Sequence, residues 1–452
     1  MNNNKAQLAK FYGIVLIGTI FLLFPALYNG YPLLNPDDGT YIHSGFKIEM
    51  PGDRPITYGL LLRAFSLNGI SLFIAAFFQC WLMSWLLVKN IKLILRDPAK
   101  LYPVSIVTIF LLSFLTSLSW ISSELIPDVQ TSVAFLCLFP LLMQRETKFN
   151  TLIFAGLYMI SVATHMSNVM IFMFLLAGIW CFRKKLFPEA AFRKNAIRII
   201  WACVILTGST VVIMAKSARK SKHVFFLGAM LDQGLLKPYL DDHCPTAGYK
   251  ICAYKDSLPG DANEFLWSEN SPLYRTGGWE ANKLEYNKIM YGSMKEPKYI
   301  WLHIKMSVIF TLRQFKEFNI GDGNFEFPTG HLVNYMVNEH IPRDVNMLNK
   351  SRQQQDDFLP NLDIPNKIIY AVVLLSLAVI IVLFFMKGQM YQPYQFFVIA
   401  GVMMIVLNIW NCATFAQING RYGCRVMWLI PLFAIIGVVN YLTGRKLKAQ
   451  GS

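Results

Sequence analysis

The chain has 452 residues, 54% of them hydrophobic and only 15% charged, with a mean hydropathy of +0.40. Apolar residues gathered in long blocks at that density exclude a soluble globular domain and specify an all-α integral membrane protein. A net charge of +15 would suit a nucleic-acid partner, but residues 216–367 hold nineteen Lys and Arg against eighteen Asp and Glu. Almost all of the surplus therefore sits in short loops and tails, where positive charge sets topology across a membrane.

The first apolar run, residues 11–28, follows Lys5 and Lys10 and has no small-residue cleavage site after it. It is expected to remain as a first span that starts inside. It leads directly into Leu34-Asn35-Pro36-Asp37-Asp38-Gly39-Thr40-Tyr41-Ile42-His43-Ser44-Gly45. Two adjacent carboxylates at a membrane surface cannot both ionise cheaply, which makes Asp37 and Asp38 a candidate catalytic or metal-binding element. The plainer reading is an N-cap and first-turn acid of a surface helix.

The same loop carries Arg54. Span two is expected at 70–88, followed by an inner loop with Lys89, Lys92, Arg96 and Lys100, and span three at 103–120. An outer loop then presents Glu124 and Asp128, four apart and suited to one helix face, with Asp128 also placed to cap a short span four at 129–143.

Residues 151–181 are apolar over about thirty positions. A single helix of that length would reach roughly 45 Å, well beyond a hydrocarbon core of about 30 Å. It would also turn the basic cluster Arg183-Lys184-Lys185 outward, against the charge rule. The segment is therefore expected to break at Thr164-His165-Met166-Ser167-Asn168, where polar groups can satisfy freed backbone, giving spans five and six. A histidine at such a depth is costly and suggests function, although a hydrogen-bonded structural histidine accounts for it equally.

Span seven is expected at 199–215. Residues 216–367 then form an extracytoplasmic domain that opens on the basic residues Lys216, Arg219, Lys220 and Lys222. Positive charge on that side opposes the topology rule and invites either phosphate binding or a solvated face. Cys244 and Cys252, eight apart in a polar loop, suit a disulfide in an oxidising compartment. Free thiols, or a metal shared with His243, are the alternatives, and no second pair completes a zinc site. The other six cysteines lie in or beside apolar runs and are expected to act as small buried hydrophobes.

Residues 299–315 are amphipathic, suited to the membrane interface or the core of a small domain. Spans eight to ten follow at 368–386, 394–410 and 426–442, with an inner turn at Lys387-Gly388 and a basic tail beyond Arg445. Arg421 and Arg425 flank Tyr422 at the start of the last span and are suited to phosphate contact or headgroup snorkelling. The organisation is thus an N-terminal membrane module at 1–215, an outer domain at 216–367 and C-terminal helices at 368–452. About ten spans place both termini in the cytoplasm of a plasma or inner membrane.

These outer residues, acids opposed by cations, resemble a known arrangement. Asp37-Asp38-Gly39-Thr40-Tyr41 after the first span, acids after the third, and Arg421-Tyr422 entering a late span with Pro431 behind are similar to motifs of the GT-C superfamily. Those are polytopic glycosyltransferases that draw sugars from polyprenyl-phosphate carriers, protein mannosyltransferases and aminoarabinose transferases among them.

The resemblance implies an inverting glycosyltransferase. Asp37 or Asp38 would activate an acceptor on a glycan, lipid or protein, directly or through a divalent metal held by Asp37 and Asp128. Glu124, Asp128 and His165 would assist. The resemblance places Arg421 on the donor phosphate, and the outer-face charge pattern itself adds Arg54, Lys216, Arg219, Lys220, Lys222, Tyr422 and Arg425 as residues that would hold it.

The chain departs from the family in using Asp-Asp where Asp-Glu is commoner, and in placing its large outer region between spans seven and eight. An O-antigen ligase or polymerase using pyrophosphate-linked glycans would rely instead on His165 and the basic run. A transporter would be expected to show matched broken helices, and only one broken segment is evident.

Overall fold

The computed structural model describes residues 2–355, 357–386 and 391–450. Among them the regular structure is helical, with a single bridge pairing Leu33 with Glu124. The turn expected at Lys387-Gly388 lies outside the described residues.

Among the described residues, seven helices are long and apolar enough to cross a bilayer: Lys5–Leu22, Leu72–Ile94, Pro98–Leu115, Ala190–Asp232, Asp363–Phe385, Gln392–Phe415 and Gly420–Arg445. That is fewer than the ten expected. The difference lies in Asp128–Met143, Lys148–Val162 and Met166–Cys181, which are apolar but shorter, below the roughly 20 residues of an ordinary crossing. The break between the last two falls at Ala163–His165, overlapping the start of the polar cluster expected to hold it, and freed backbone groups there find partners.

The Asp128–Met143 helix is buried along its whole length, and the polar side chains of its first turns, Asp128, Gln130, Thr131 and Ser132, all find partners inside the bundle. The helix Asp363–Phe385 is the opposite case, with Leu374, Leu375, Phe384 and Phe385 all exposed and turned away from the core. The helix Ala190–Asp232 runs 43 residues without a break, roughly 65 Å at helical rise. It passes straight through residue 215, where span seven was expected to end, because no proline interrupts it.

Residues 216–367 contribute to two cores. Val224, Leu227, Tyr239, Phe265, Tyr286 and Tyr299 form a small core of their own, beside the Cys244–Cys252 disulfide. Phe318, Ile320, Phe327, Val337, Ile341 and Phe358 instead join the main core of the helical bundle. The second half of the expected outer domain is therefore packed onto the membrane module. Of the remaining cysteines, Cys181 is exposed and the other five are buried.

The loop that follows the first long apolar helix is held down at both ends. Leu33 N donates to the Ser123 carbonyl at 3.2 Å, and Leu125 N donates back to Leu33 O at 3.0 Å. The Tyr31 hydroxyl donates to buried Asp344 at 2.8 Å, which also accepts from Leu72 N at 2.7 Å. The helix Asp38–Lys47 then packs on Thr57–Phe65 at a place where both elements supply glycine. A Cβ at Gly59 would meet the Tyr41 carbonyl, and one at Gly45 would meet Gly59 O. Gly59→Ala is therefore expected to cost about 1–3 kcal/mol, the range for overpacking, and to lower the melting temperature of the purified protein. A melting curve unchanged by the substitution would contradict this contact.

Candidate functional site

Asp37 stands at the N-terminal boundary of the Asp38–Lys47 helix but makes no side-chain cap to it. Its carboxylate turns outward to two arginines from distant parts of the chain. Arg54 Nη1 lies 2.9 Å from Oδ1, and Arg421 Nη2 lies 3.4 Å from Oδ2. Arg54 is shared with Asp53 and sits 5.2 Å above the Tyr41 ring. Burial opposes ionisation of Asp37, but the two guanidinium groups outweigh it and hold the carboxyl well below its usual range. Asp37 remains 31% exposed, so this charge cluster stands at the surface of the bundle and not inside it.

Asp38 behaves differently because it points inward. It is fully buried and accepts from Asn35 N at 2.7 Å through Oδ2, while Oδ1 has no partner. Burial, with the charges of Glu124 and Asp37, raises its carboxyl well above the usual range. Adjacent acids have thus been separated into an exposed anion and a buried group that favours its proton.

Glu124 and Asp128 do not share a helix face as their spacing suggested. Glu124 lies before the helix, at the bridge to Leu33, and Asp128 is the first residue of Asp128–Met143. Glu124 Oε1 accepts from Asn324 Nδ2 at 2.9 Å. Burial raises its carboxyl to about 8, with Arg421 opposing. Asp128 Oδ1 pairs with Arg425 Nη1 at 3.0 Å, and neither side chain meets solvent appreciably.

Arg425 is consumed within the fold. Its Nε donates to Asn408 at 2.6 Å, and its Nη2 reaches Cys412 Sγ at 2.8 Å and Ser167 Oγ at 3.4 Å. One side chain thereby ties four helices together, and the phosphate contact expected of it gives way to a structural role. Arg421 is 19% exposed. It touches Asn35 Oδ1 at 3.1 Å, and its Nε is buried without a partner. Both guanidinium groups lie 5.3 Å from the Tyr422 ring centroid.

His165 caps the Met166–Cys181 helix, its Nδ1 accepting from Ser167 N at 3.2 Å. Through Ser167 it adjoins Arg425, at the inner edge of the cluster. The basic run does not join it. Lys216, Arg219, Lys220 and Lys222 are exposed; Arg219 donates back to Ala215 O and Lys222 donates to the Tyr291 hydroxyl. Only Ser217 of that stretch reaches the site, donating to Arg54 O at 2.9 Å.

Asp37 and Asp128, expected to share a cation, each face arginine instead. Among the described residues no three His, Cys, Asp or Glu side chains gather as a metal group would require. A surface cavity of about 450 Å³, lined by Asn319, Asp363, Asn366, Lys367 and Tyr370, includes none of these side chains.

Several contributors were not singled out from the sequence. Asp322 accepts from Gly420 N at 3.0 Å, fixing the start of the arginine-bearing helix. Asn324 links Glu124 to Leu34 O, and Asn408 orients Arg425. The signals were present: a polar, glycine-rich stretch Asn319-Ile320-Gly321-Asp322-Gly323-Asn324, and an asparagine inside an apolar span.

Compared with family models, characterised proteins and solved structures, the chain matches none.

Two measurements follow from this geometry. Arg425→Met leaves Asp128 buried without its partner, an expected loss of about 3–5 kcal/mol, and adding Asp128→Asn is expected to recover part of it. Size-exclusion profiles and melting temperatures of the two variants measure this, and a wild-type profile for Arg425→Met would show the pair to be dispensable. Glu124 binds a proton when folded that the unfolded chain releases above its ordinary value of 4.5. The stability from its neutral form is complete below that pH and is lost as pH rises towards about 8. The melting temperature of the wild type should therefore fall relative to Glu124→Gln across that window, whereas parallel curves would contradict the assignment.

Proposed function

We propose that this chain is a GT-C-like membrane glycosyltransferase that moves a sugar from a polyprenyl-phosphate carrier to an extracytoplasmic acceptor with inversion. The observation that carries the reading is the contact between Asp37 and Arg421, a first-loop acid and a last-span arginine 384 residues apart in sequence. Two short motifs that resemble the family's acid and phosphate positions meet at one partly exposed spot.

In this reading the chain crosses the membrane about ten times, counting the three shorter apolar helices as spans, with both termini cytoplasmic and the acid cluster on the outer face of a plasma membrane. The donor phosphate takes over the Arg421 Nη groups that now face Asp37, and Asp37 is released towards the acceptor. The acceptor hydroxyl attacks the anomeric carbon and passes its proton to Asp37. The bond from that carbon to the phosphate oxygen breaks, and the polyprenyl phosphate leaves with the electron pair. Arg421 and Arg54 offset the charge that develops, a contribution often the largest in such catalysis. Asp38 and Glu124 hold the loop from beneath.

Asp37→Asn and Arg421→Gln in proteoliposomes, assayed with a panel of radiolabelled polyprenyl-phosphate hexoses, test the reading. Transfer should fall about 100-fold or more in Asp37→Asn, the scale of lost proton transfer, and Arg421→Gln should weaken donor use. Undiminished transfer in Asp37→Asn would reject the assignment. Turnover with pyrophosphate-linked glycans alone would favour the ligase-like chemistry.

A further inference from the structure

The helix Pro297–Gln314 has one face that the bundle does not cover. Trp301, Ile304, Val308 and Leu312 are 64%, 52%, 57% and 62% exposed. Spaced three, four and four residues apart, they form one continuous stripe. The opposite side is anchored, with Tyr299, Phe310 and Gln314 buried. Lys305 follows the edge of the stripe, and Arg313 and Lys316 stand at its C-terminal end. None of these three cations forms an ion pair among the described residues. Lys298, on the same edge, pairs with Asp242, and Glu296 before the helix is engaged by His243 at 2.9 Å.

What lies against the stripe is indicated by the helix's neighbour. The Ser307 hydroxyl lies 2.7 Å from that of Thr414 and accepts from the Trp410 indole at 3.1 Å. Gln314 donates to Asn419 O at 2.8 Å. The helix is therefore fastened to the last turns of Gln392–Phe415, one of the helices apolar enough to cross a bilayer. Beside this junction Phe174 and Phe415 are themselves exposed, at 49% and 37%, and Phe174, Trp410 and Phe415 are in ring contact. A tryptophan near the end of a span, as Trp410 is in Gln392–Phe415, marks the headgroup level. An apolar stripe continuous with that surface, edged by unpaired cations, has the character of a helix lying in the bilayer interface.

We infer that Pro297–Gln314 is a membrane-surface anchor, its apolar stripe seated among acyl chains and Lys305, Arg313 and Lys316 on anionic phospholipid headgroups. It holds the small core around Tyr239 and Tyr286 against the bilayer, independently of which reaction the acid cluster performs.

The test uses the full chain in nanodiscs of phosphatidylcholine with phosphatidylglycerol. Trp301→Phe, a substitution at an exposed position, isolates the emission of that indole by difference. With brominated acyl chains, the Trp301 component should fall at least about twofold while aqueous iodide leaves it unchanged. Quenching by iodide in place of bromine would put the stripe in water, and quenching by neither would assign it to a protein partner or a second copy; both overturn the inference. Native mass spectrometry of Lys305→Gln/Arg313→Gln/Lys316→Gln reads the headgroup part. Retained phosphatidylglycerol should drop severalfold relative to phosphatidylcholine, and an unchanged ratio would remove anionic lipid from the account.

Discussion

Charge placed at the end of an apolar helix survives only where an opposite charge, or a full set of hydrogen bonds, replaces the water it loses. The end of the bundle that carries Asp37 and Asp128 is organised by that requirement. Asp128 opens a helix that is buried on every side, and Arg425, itself without solvent contact, is the group that allows it to stay there. Because that guanidinium also engages Asn408, Cys412 and Ser167, satisfying one carboxylate fixes the relative positions of four helices.

The contrast between two arginines four residues apart gives the site its chemistry. Arg425 points into the bundle and is saturated by the chain's own groups. Arg421, just over one turn earlier, sits at the rim, bonded to Asn35 and Asp37 with its Nε buried and unpartnered. The same division separates Asp37 from Asp38, one carboxyl drawn down by guanidinium groups and the other pushed up by burial. An inner layer of paired or neutral groups thus underlies a rim at which Asp37, Arg54 and Arg421 remain partly exposed.

Much of this was legible in the sequence, for physical reasons. Long apolar blocks announced the spans. The polar interruption at Thr164–Asn168 announced the break, since a thirty-residue helix would not fit the bilayer. The acid pair announced itself by being costly where it stood. Sequence spacing could not reveal which way each side chain turns. Glu124 and Asp128 were read as one helix face, yet the helix starts only at Asp128. Arg425 looked as available as Arg421 until Asn408 and Cys412, from another span, were brought beside it. Between Phe318 and Phe358 the apolar residues keep helical spacing over one short helix, Leu332–His340, with Val333, Met336 and Val337 buried, too brief a signal to tell the bundle core from a separate unit. The basic run at Lys216–Lys222 suggested phosphate binding by composition alone, and its exposed side chains lie apart from the acids.

The central claim is that a lipid-linked phosphate is recognised where the first loop meets the last span. A cryo-EM map of the protein in nanodiscs with a polyprenyl monophosphate bound tests it most directly. The account predicts phosphate density within hydrogen-bonding distance of the Arg421 guanidinium, with Asp37 turned away from it. Phosphate density on Lys216, Lys220 and Lys222, with the Asp37–Arg421 contact intact, would contradict it.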